Sequence, residues 1–339
     1  MTEELPGLDP QRLRAYLDRA TPGLVAGPLT GRVIAGGKSN LTYAVTDGAG
    51  VWVVRRPPLG HVLATAHDMA REYRVMTALR DTPVPVPRTY TLCEDPDVLG
   101  APFYVMEHVA GTPFRTRDEI AVLGAERTRA AAESLVATLG ELHAVVPAEV
   151  GLGGFGRPSG FLERQVRRWH KQLDASRSRD VPGIDELHER LARTVPEQSA
   201  PAIVHGDYRL DNVLITPEGD LTAVLDWEMA TLGDPLVDLG LMLVYREQPD
   251  GLVGDSAPAT SAEGFPSSTE LVELYRAATG RDVSQLAWYV AFGCFKLAVI
   301  AEGIHLRHSR GLTVGAGFDR IGAMVAPLVE RAHATLKER

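Results

Sequence analysis

Cysteine is scarce in this 339-residue chain, and positive charge is in the minority. The two cysteines, Cys93 and Cys294, lie about 200 positions apart without C-x-x-C spacing, which favours two ordinary core thiols over a zinc site or a disulfide framework. Lysine and arginine total 35 against 44 acidic residues, so the formal net charge is −9. This balance argues against a broad electrostatic grip on nucleic acid or on an anionic membrane, and leaves room only for a local basic pocket.

The sequence also lacks an evident export or membrane signal. Its first ten residues, MTEELPGLDP, are acidic and do not show the basic and then apolar pattern of a secretory signal, so a cytoplasmic location is expected. The longest apolar stretch, Leu286–Phe295, is too short to span a bilayer and predicts a buried helix. With 45% hydrophobic and 23% charged residues, the chain can bury a sizeable core, and its length suggests about two domains.

The first third of the chain has the pattern of an antiparallel sheet. Residues 31–56 contain short β-prone runs around a Gly-Gly turn and an Asp-Gly turn. Residues 64–80 place apolar side chains on one helical face, and two further β-prone runs follow at 88–94 and 101–109. The predicted order is therefore three strands, one helix and two strands.

Beyond about residue 110 the pattern becomes mainly helical, which indicates a domain boundary there. Helices are predicted around 121–145, 160–178 and 183–195, and again from about residue 268. Short strands at 213–215 and 222–226 would flank a turn, and residues 249–267 have the composition of a surface loop that could order over a ligand.

The stretch VHGDYRLDNVLI, residues 204–215, carries the strongest chemical signal. Asp207 and Asn212 are separated by four residues, as are the proton-accepting Asp and the metal-binding Asn of a protein-kinase catalytic loop. Asp226 ends a predicted strand, where its carboxylate could meet Mg²⁺. Glu228 is a weaker second metal ligand, since it would point to the same side only if the strand continued. A capped turn also uses Asp and Asn, but it does not require an acid on the strand that follows.

Several motifs together carry a resemblance to a known family: GGKSNLTY, VVRRPP, AHDMAREYRVMTAL, VPVPRTY, HGDYRLDNVL and LDWEMATLGDPLVDLG. Over roughly residues 28–310 the sequence resembles the aminoglycoside phosphotransferase and choline-kinase superfamily. Within it, the motifs are most similar to the bacterial branch related to the kinase-like domains of acyl-CoA dehydrogenase fusion proteins. They are specific to the superfamily and much less specific to a substrate.

The resemblance implies an α+β, bilobal protein-kinase-like fold, with an N-terminal antiparallel-sheet lobe and a mainly helical C-terminal lobe. The expected domains are an N-terminal helical extension at 1–27, a nucleotide-binding lobe at 28–110, and a catalytic and substrate lobe at 111–339.

Roles for individual residues also follow from the resemblance. Asp207 would be the base that orients the acceptor hydroxyl, and Asn212 and Asp226 would bind Mg²⁺. His205 and Asp238 would hold the catalytic loop, although Asp238 could instead be an exposed helix-cap acid.

The nucleotide-binding residues implied by the resemblance lie in the first lobe. Glu72 would pair with a phosphate-holding cation, and the backbone of Glu107 and Val109 would face the adenine; an edge strand leading into a linker would have the same pattern. A turn covering the phosphates, where glycine lets backbone N–H groups approach anionic oxygens, would be formed by Gly36, Gly37, Ser39 and Asn40.

The phosphate-holding cation would be Arg55, at a place where protein kinases and aminoglycoside kinases have lysine; the related branch also accepts arginine. Only four lysines occur in the chain, so a compositional drift toward arginine explains the exchange. A guanidinium can still bridge a carboxylate and phosphates, although its planar fork does not replace an ammonium group atom for atom.

Three classes of function are compatible with these observations. The leading one is a small-molecule kinase that uses ATP, or GTP, with Mg²⁺ to phosphorylate a hydroxylated substrate. A catalytically weak nucleotide-binding pseudokinase is supported only by Arg55. A Mg²⁺-dependent phosphatase or nuclease fits the number of acids but not the order of sheet and helices.

The acceptor is less determined than the reaction. A hydroxyacyl-CoA-like metabolite is favoured by the branch that the motifs resemble, and antibiotic modification of an aminoglycoside is the alternative. Arg307 could hold an anionic group of the acceptor, whereas Lys296 and Arg310 are expected in solvent. No sequence feature indicates an oligomeric state.

Overall fold

The computed structural model describes residues 5–34, 40–59, 68–248, 257–312 and 317–337. The chain divides into two compact units. Unit 1 comprises Met1–Ala110 and Thr222–Ala230, and unit 2 comprises Gly111–Leu221 and Thr231–Arg339. A short segment from the second half of the chain therefore belongs to the first unit.

Among the described residues of unit 1 before residue 110 there are a sheet and three helices. In chain order its elements are α1 (Pro10–Ala20), β1 (Thr30–Val33), β2 (Leu41–Thr46), β3 (Val51–Arg56), α2 (Met69–Leu79), β4 (Thr89–Cys93), α3 (Pro96–Leu99) and β5 (Phe103–Glu107). The strands pair antiparallel in the order β1-β2-β3-β5-β4. The predicted order of three strands, one helix and two strands is confirmed, with α3 as an addition. Because β5 lies between β3 and β4, it is not an edge strand.

Local sequence signals explain where the helices of this unit begin. Pro10 occupies the first position of α1, and the preceding Asp9 accepts hydrogen bonds from the backbone N–H groups of Gln11 and Arg12. Asp68 caps α2 in the same way by accepting from the N–H of Arg71. These aspartates satisfy backbone donors that have no partner within the helix.

Helix α1 contributes to the core of unit 1. Leu13 and Leu17 are buried in the cluster that contains Tyr43 and Phe103 from the sheet. The ring of Tyr16 packs edge-on against Phe103 at 5.3 Å between centroids. The sheet thus depends on a helix that precedes its first strand.

The remaining elements are mostly helices. They are α4 (Arg117–Ala121), α5 (Gly124–Ala144), α6 (Phe161–Ser176), α7 (Ile184–Arg193), β6 (Ala202–Val204), β7 (Val213–Ile215), β8 (Leu221–Val224), β9 (Thr231–Gly233), α8 (Leu236–Arg246), α9 (Ser268–Thr279), α10 (Leu286–Ser309), α11 (Phe318–Ile321) and α12 (Val325–Lys337). Strand β6 pairs antiparallel with β9. Helix α10 packs against α6, α8 and α12 and forms the centre of unit 2.

Helix α10 is longer than the apolar run that predicts it. It has 24 residues and is long and apolar enough to cross a membrane, so the expectation that it is too short is wrong. Because 78% of its most apolar window is buried inside the protein, it has the character of a core helix, as the sequence predicts. Its neighbour α8 approaches closely at Gly240, where a Cβ atom would lie 2.7 Å from the carbonyl oxygen of Tyr289.

The packing of α1 leads to a prediction about stability. Replacing Leu13, which is fully buried, with alanine should lower the free energy of unfolding by about 2–5 kcal/mol, because the substitution leaves a cavity. Leu59 is 54% exposed, so Leu59→Ala provides a control in the same unit. Urea unfolding of both variants measures the difference; an equal, small effect would show that α1 contributes little to the core.

Candidate active site

The loop that carries the strongest sequence signal connects β6 to β7 in unit 2. Gly206 has a φ of 86°, in the left-handed region that glycine adopts without steric cost. Asn212 closes a short 3₁₀ turn, Leu210–Asn212, immediately before β7. The loop therefore brings Asp207 and Asn212 together through a tight backbone path rather than through a continuous helix.

The carboxylate of Asp238 holds this loop from the first turn of α8. Its Oδ2 accepts from the N–H of His205 and its Oδ1 from the N–H of Gly206, each at 2.7 Å. The side chain is fully buried, so the interpretation as an exposed helix cap is wrong. Burial by itself would raise the pKa of Asp238, but hydrogen bonding to His143, the charges of His143 and His205 and the N–H of Gly206 lower it.

His143, on α5, is a further partner of Asp238. Its Nε2 lies 3.3 Å from Asp238 Oδ2, and its Nδ1 lies 2.8 Å from the hydroxyl of Tyr275. Since a carboxylate only accepts, Nε2 carries the hydrogen and Nδ1 accepts from the tyrosine. Burial lowers the pKa of His143, with the hydrogen bond and charge of Asp238 opposing the shift. Sequence reasoning missed His143 because 95 residues separate it from Asp238.

Lys296 also holds the loop, contrary to the expectation that it lies in solvent. It is 9% exposed, and its Nζ donates to the carbonyl oxygen of Gly206 at 2.6 Å. The ammonium group also lies 5.6 Å from the ring centroid of Trp169. Burial lowers the pKa of Lys296, while the charges of Asp207 and Asp238 oppose that shift. The long side chain reaches from α10 into the loop, a contact that helical periodicity does not reveal.

Asp207 and Asn212 contact each other directly. The Nδ2 of Asn212 donates to the backbone oxygen of Asp207 at 2.9 Å and to its Oδ2 at 3.0 Å. This orientation leaves the amide oxygen of Asn212 as the atom that can bind a cation. Behind them, the Nδ1 of the buried His205 accepts from the N–H of Asp207 at 3.2 Å, so His205 stabilises the loop rather than facing a substrate.

Unit 1 contains a second cluster of charged groups, centred on Arg55 of β3. Its Nε lies 3.0 Å from Glu72 Oε2, and its Nη2 donates to Asp226 Oδ1. The Nε–Oε2 contact is an ion pair whose angle does not make a hydrogen bond. Burial alone would lower the pKa of Arg55, but Tyr104 and the charges of Glu72, Asp226 and Glu228 raise it. The guanidinium therefore remains charged and bridges two carboxylates.

Glu72 is buried at the centre of this cluster. Its Oε2 accepts from the hydroxyl of Tyr104 at 2.9 Å, and its Oε1 from the Nδ2 of Asn40 at 3.1 Å. Burial raises the pKa of Glu72 to about 7; Arg55 opposes the shift, and the charge of Asp226 adds to it. Glu72 and Asp226 thus share the single cation of Arg55.

Asp226 follows β8 in an unusual backbone conformation. Its φ of 66° is the one positive value at a non-glycine residue in the described part of the chain. The strand ends at Val224 and is followed by a 3₁₀ turn, Trp227–Met229. The alternation expected for Glu228 therefore does not apply; its Oε2 instead accepts from Asn40 Nδ2 at 3.3 Å.

The side chains of Asn212 and Asp226 have the donor chemistry that Mg²⁺ requires. Mg²⁺ binds oxygen and is usually held by one or two protein groups, with phosphates and waters completing its shell. The carboxylate of Asp226 and the amide oxygen of Asn212 meet that description, each within its own unit. Among the described residues, no group of three or more His, Cys, Asp or Glu side chains is placed to hold a metal ion.

The remaining predicted nucleotide- and substrate-binding residues differ in how much the structure shows of them. Gly36, Gly37 and Ser39 are outside the described residues. The N–H of Glu107 donates to the carbonyl oxygen of Arg88 at 2.8 Å, so this N–H is already used within the sheet. Val109 lies just beyond β5, and Arg307 is exposed in the last turn of α10.

Comparison with known proteins gives a consistent family match. The family model described as the phosphotransferase enzyme family matches residues 30–278. The chain is 36% identical over 334 residues to acyl-CoA dehydrogenase family member 11 of Gallus gallus, covering 95% of this chain and 43% of that protein. The chain thus spans less than half the length of such curated relatives.

Solved structures of similar fold include bacterial phosphotransferases. A Ralstonia eutropha protein, described provisionally as an aminoglycoside phosphotransferase, superposes with a TM-score of 0.83 at 33% identity, covering 97% of this chain and 98% of that one. The ternary complex of APH(2")-IIa with streptomycin and ATP superposes with a TM-score of 0.57 at 16% identity, covering 87% and 90%. The latter likeness concerns the fold alone.

The buried histidine gives a prediction about pH. Because the pKa of His143 is lowered on folding, the unfolded chain binds more protons below about pH 6.5, and the free energy of unfolding falls on acidification by up to about 1.4 kcal/mol per pH unit for this group. The pKa of Asp238 is also lowered on folding. Its contribution to the free energy of unfolding is therefore lost at a more acidic pH than the contribution of His143. His143→Gln should therefore flatten the dependence between about pH 7 and about pH 5.

Urea titrations at several pH values measure this slope. His108→Gln is the control, because His108 is exposed. The same slope in His143→Gln and in the wild-type protein would contradict the assignment.

Proposed function

Because the chain belongs to the phosphotransferase enzyme family, we propose that it is an ATP- and Mg²⁺-dependent kinase that phosphorylates a hydroxyl group of a small molecule. The observation that carries this proposal is the direct contact between Asp207 and Asn212 in a loop fixed by buried partners. Phosphoryl transfer depends mainly on positioning and charge neutralisation, and a rigid loop serves both. We also propose that the protein acts in the cytoplasm.

In the proposed reaction, Asp207 accepts a hydrogen bond from the acceptor hydroxyl and takes its proton as the oxygen attacks the γ-phosphorus. The bond to the β–γ bridging oxygen breaks, and ADP leaves. Asn212 and Asp226 would hold Mg²⁺, which neutralises phosphate charge when bound. Arg55, kept in place by Glu72, would contact the phosphates.

The intact set of acids favours catalysis over a non-catalytic nucleotide-binding role. A binding module has little need for a proton acceptor, whereas this loop keeps Asp207 beside Asn212. The argument for a pseudokinase is the arginine at position 55. This arginine forms an ion pair with Glu72, as the corresponding lysine of a protein kinase does with its helix glutamate.

For the acceptor we propose a hydroxylated metabolite with an anionic group, of the hydroxyacyl-CoA type. Its support is the similarity to acyl-CoA dehydrogenase family proteins and the presence of exposed cations in unit 2. Lys296 is not one of these exposed cations, because it is buried against Gly206. Arg307 on α10 is exposed, and so is Arg168 on α6, whose guanidinium carbon lies 5.7 Å from the ring centroid of Trp169, the ring that Lys296 also contacts. Aminoglycoside phosphorylation is the second candidate, favoured by the Ralstonia structure.

Replacing the proton acceptor tests the mechanism. Asp207→Asn should reduce phosphoryl transfer by roughly 10²–10⁴-fold, the usual effect of losing a general base, and leave ATP affinity within a few-fold. ADP release and calorimetric titration with ATP, with and without Mg²⁺, measure the two effects. Asp220→Asn, in an exposed turn, is the control. Near-wild-type turnover of Asp207→Asn would remove this residue from the mechanism.

The acceptor is tested by direct competition of substrates. With Mg²⁺ and ATP held constant, kcat/KM for hydroxybutyryl-CoA should exceed that for kanamycin, since cations near the loop attract a phosphate-bearing thioester and repel a polycation. Arg168→Gln should lower kcat/KM for the thioester only. Efficient phosphorylation of kanamycin without turnover of the thioester would make antibiotic modification the better assignment.

A further inference from the structure

Tyr245, in the last turn of α8, contacts the proposed base. Its hydroxyl donates to Asp207 Oδ1 at 2.9 Å. The other carboxylate oxygen, Oδ2, accepts from Asn212 and lies 3.5 Å from Nε of Arg209. The two oxygens of Asp207 therefore have different environments: a phenol on one side, and an amide with a guanidinium on the other.

The position of Tyr245 on α8 links it to the support of the loop. Tyr245 and Asp238 are seven residues apart, about two helical turns, so their side chains leave the same face of the helix. Asp238 binds the backbone of His205 and Gly206, and Tyr245 binds the side chain of Asp207. One rigid helix thus sets both the path of the loop and the rotation of the carboxylate.

The ring of Tyr245 is itself held in place. The guanidinium carbon of Arg209 lies 4.7 Å from its ring centroid, so the ring is stacked against a cation that also pairs with Asp207. Burial raises the pKa of Tyr245 well above its usual value, and the charge of Asp207 adds to the shift. The phenol therefore stays protonated and acts as a donor throughout the neutral range.

We propose that Tyr245 is a positioning residue for phosphoryl transfer, which fixes the carboxylate of Asp207 so that Oδ1 receives the proton of the acceptor hydroxyl. A carboxylate oxygen has two acceptor positions. Tyr245 fills one of those on Oδ1, while Oδ2 faces Asn212 and Arg209. The remaining position on Oδ1 defines the direction from which the acceptor approaches, beside the tyrosine hydroxyl. This inference rests on the proposed function of Asp207.

Tyr245→Phe tests the proposal, because it removes the donor and keeps the ring beneath Arg209. Loss of one hydrogen bond to a charged group corresponds to about a 10–100-fold decrease in kcat, while the dissociation constant of ATP should stay within about two-fold. Tyr289→Phe is the matched control: the hydroxyl of Tyr289 donates to Asp234 Oδ2 at 3.0 Å, a similar buried bond to a different aspartate. ADP release is measured with hydroxybutyryl-CoA, with kanamycin and with water alone, and thermal melting checks the fold of each variant.

The double variant separates positioning from a general structural effect. If Tyr245 acts through Asp207, then Tyr245→Phe should cause little further loss in the Asp207→Asn background. An independent further loss there, an unchanged kcat in Tyr245→Phe, or a loss of ATP affinity with a lowered melting temperature would each overturn the positioning role. A large effect of Asp207→Asn with none of Tyr245→Phe would leave the proposed function intact. Absence of ADP release by the wild-type protein with all three acceptors would overturn both proposals.

Discussion

Hydrogen bonds to the buried carboxylate of Asp238 hold the loop that carries Asp207. A buried charge is tolerated only when it is paired and hydrogen-bonded, and here two backbone N–H groups and an imidazole supply those partners. In return, Asp238 determines where His205 and Gly206 lie. The carbonyl oxygen of Gly206 accepts from Lys296, so the N–H and the C=O of Gly206 are both held by side chains, one from α8 and one from α10.

This arrangement explains why the centre of unit 2 combines strongly apolar helices with a few buried polar residues. Apolar packing of α8 against α10, close enough to require Gly240, gives the helices a defined spacing. The polar residues on them then reach the loop at hydrogen-bonding distance. A low local dielectric strengthens each of these contacts and makes an unpaired group costly, so the helix packing and the loop geometry support each other.

In the charged cluster of unit 1, a buried carboxylate is again paired, in this case with the guanidinium of Arg55. Arg55 carries one charge but has several donors in a plane, which lets it pair with Glu72 and Asp226 together. A lysine would have offered a single point charge. With Glu72 buried and Asp226 in a left-handed conformation, the cluster gathers two carboxylates around the single cation of Arg55.

Periodicity and turn residues act locally, so the sequence predicts the order of sheet and helices. It singled out Asp207, Asn212 and Asp226 by their residue types and order along the chain, and Asp238 through the family resemblance. Three contacts follow only from the tertiary structure: Lys296 is buried against the loop, His143 supports Asp238, and Tyr245 donates to Asp207. Those contacts join residues about 40 to about 100 positions apart. No local pattern specifies them, because the distance between two such side chains depends on how helices pack, and packing is a property of the whole core.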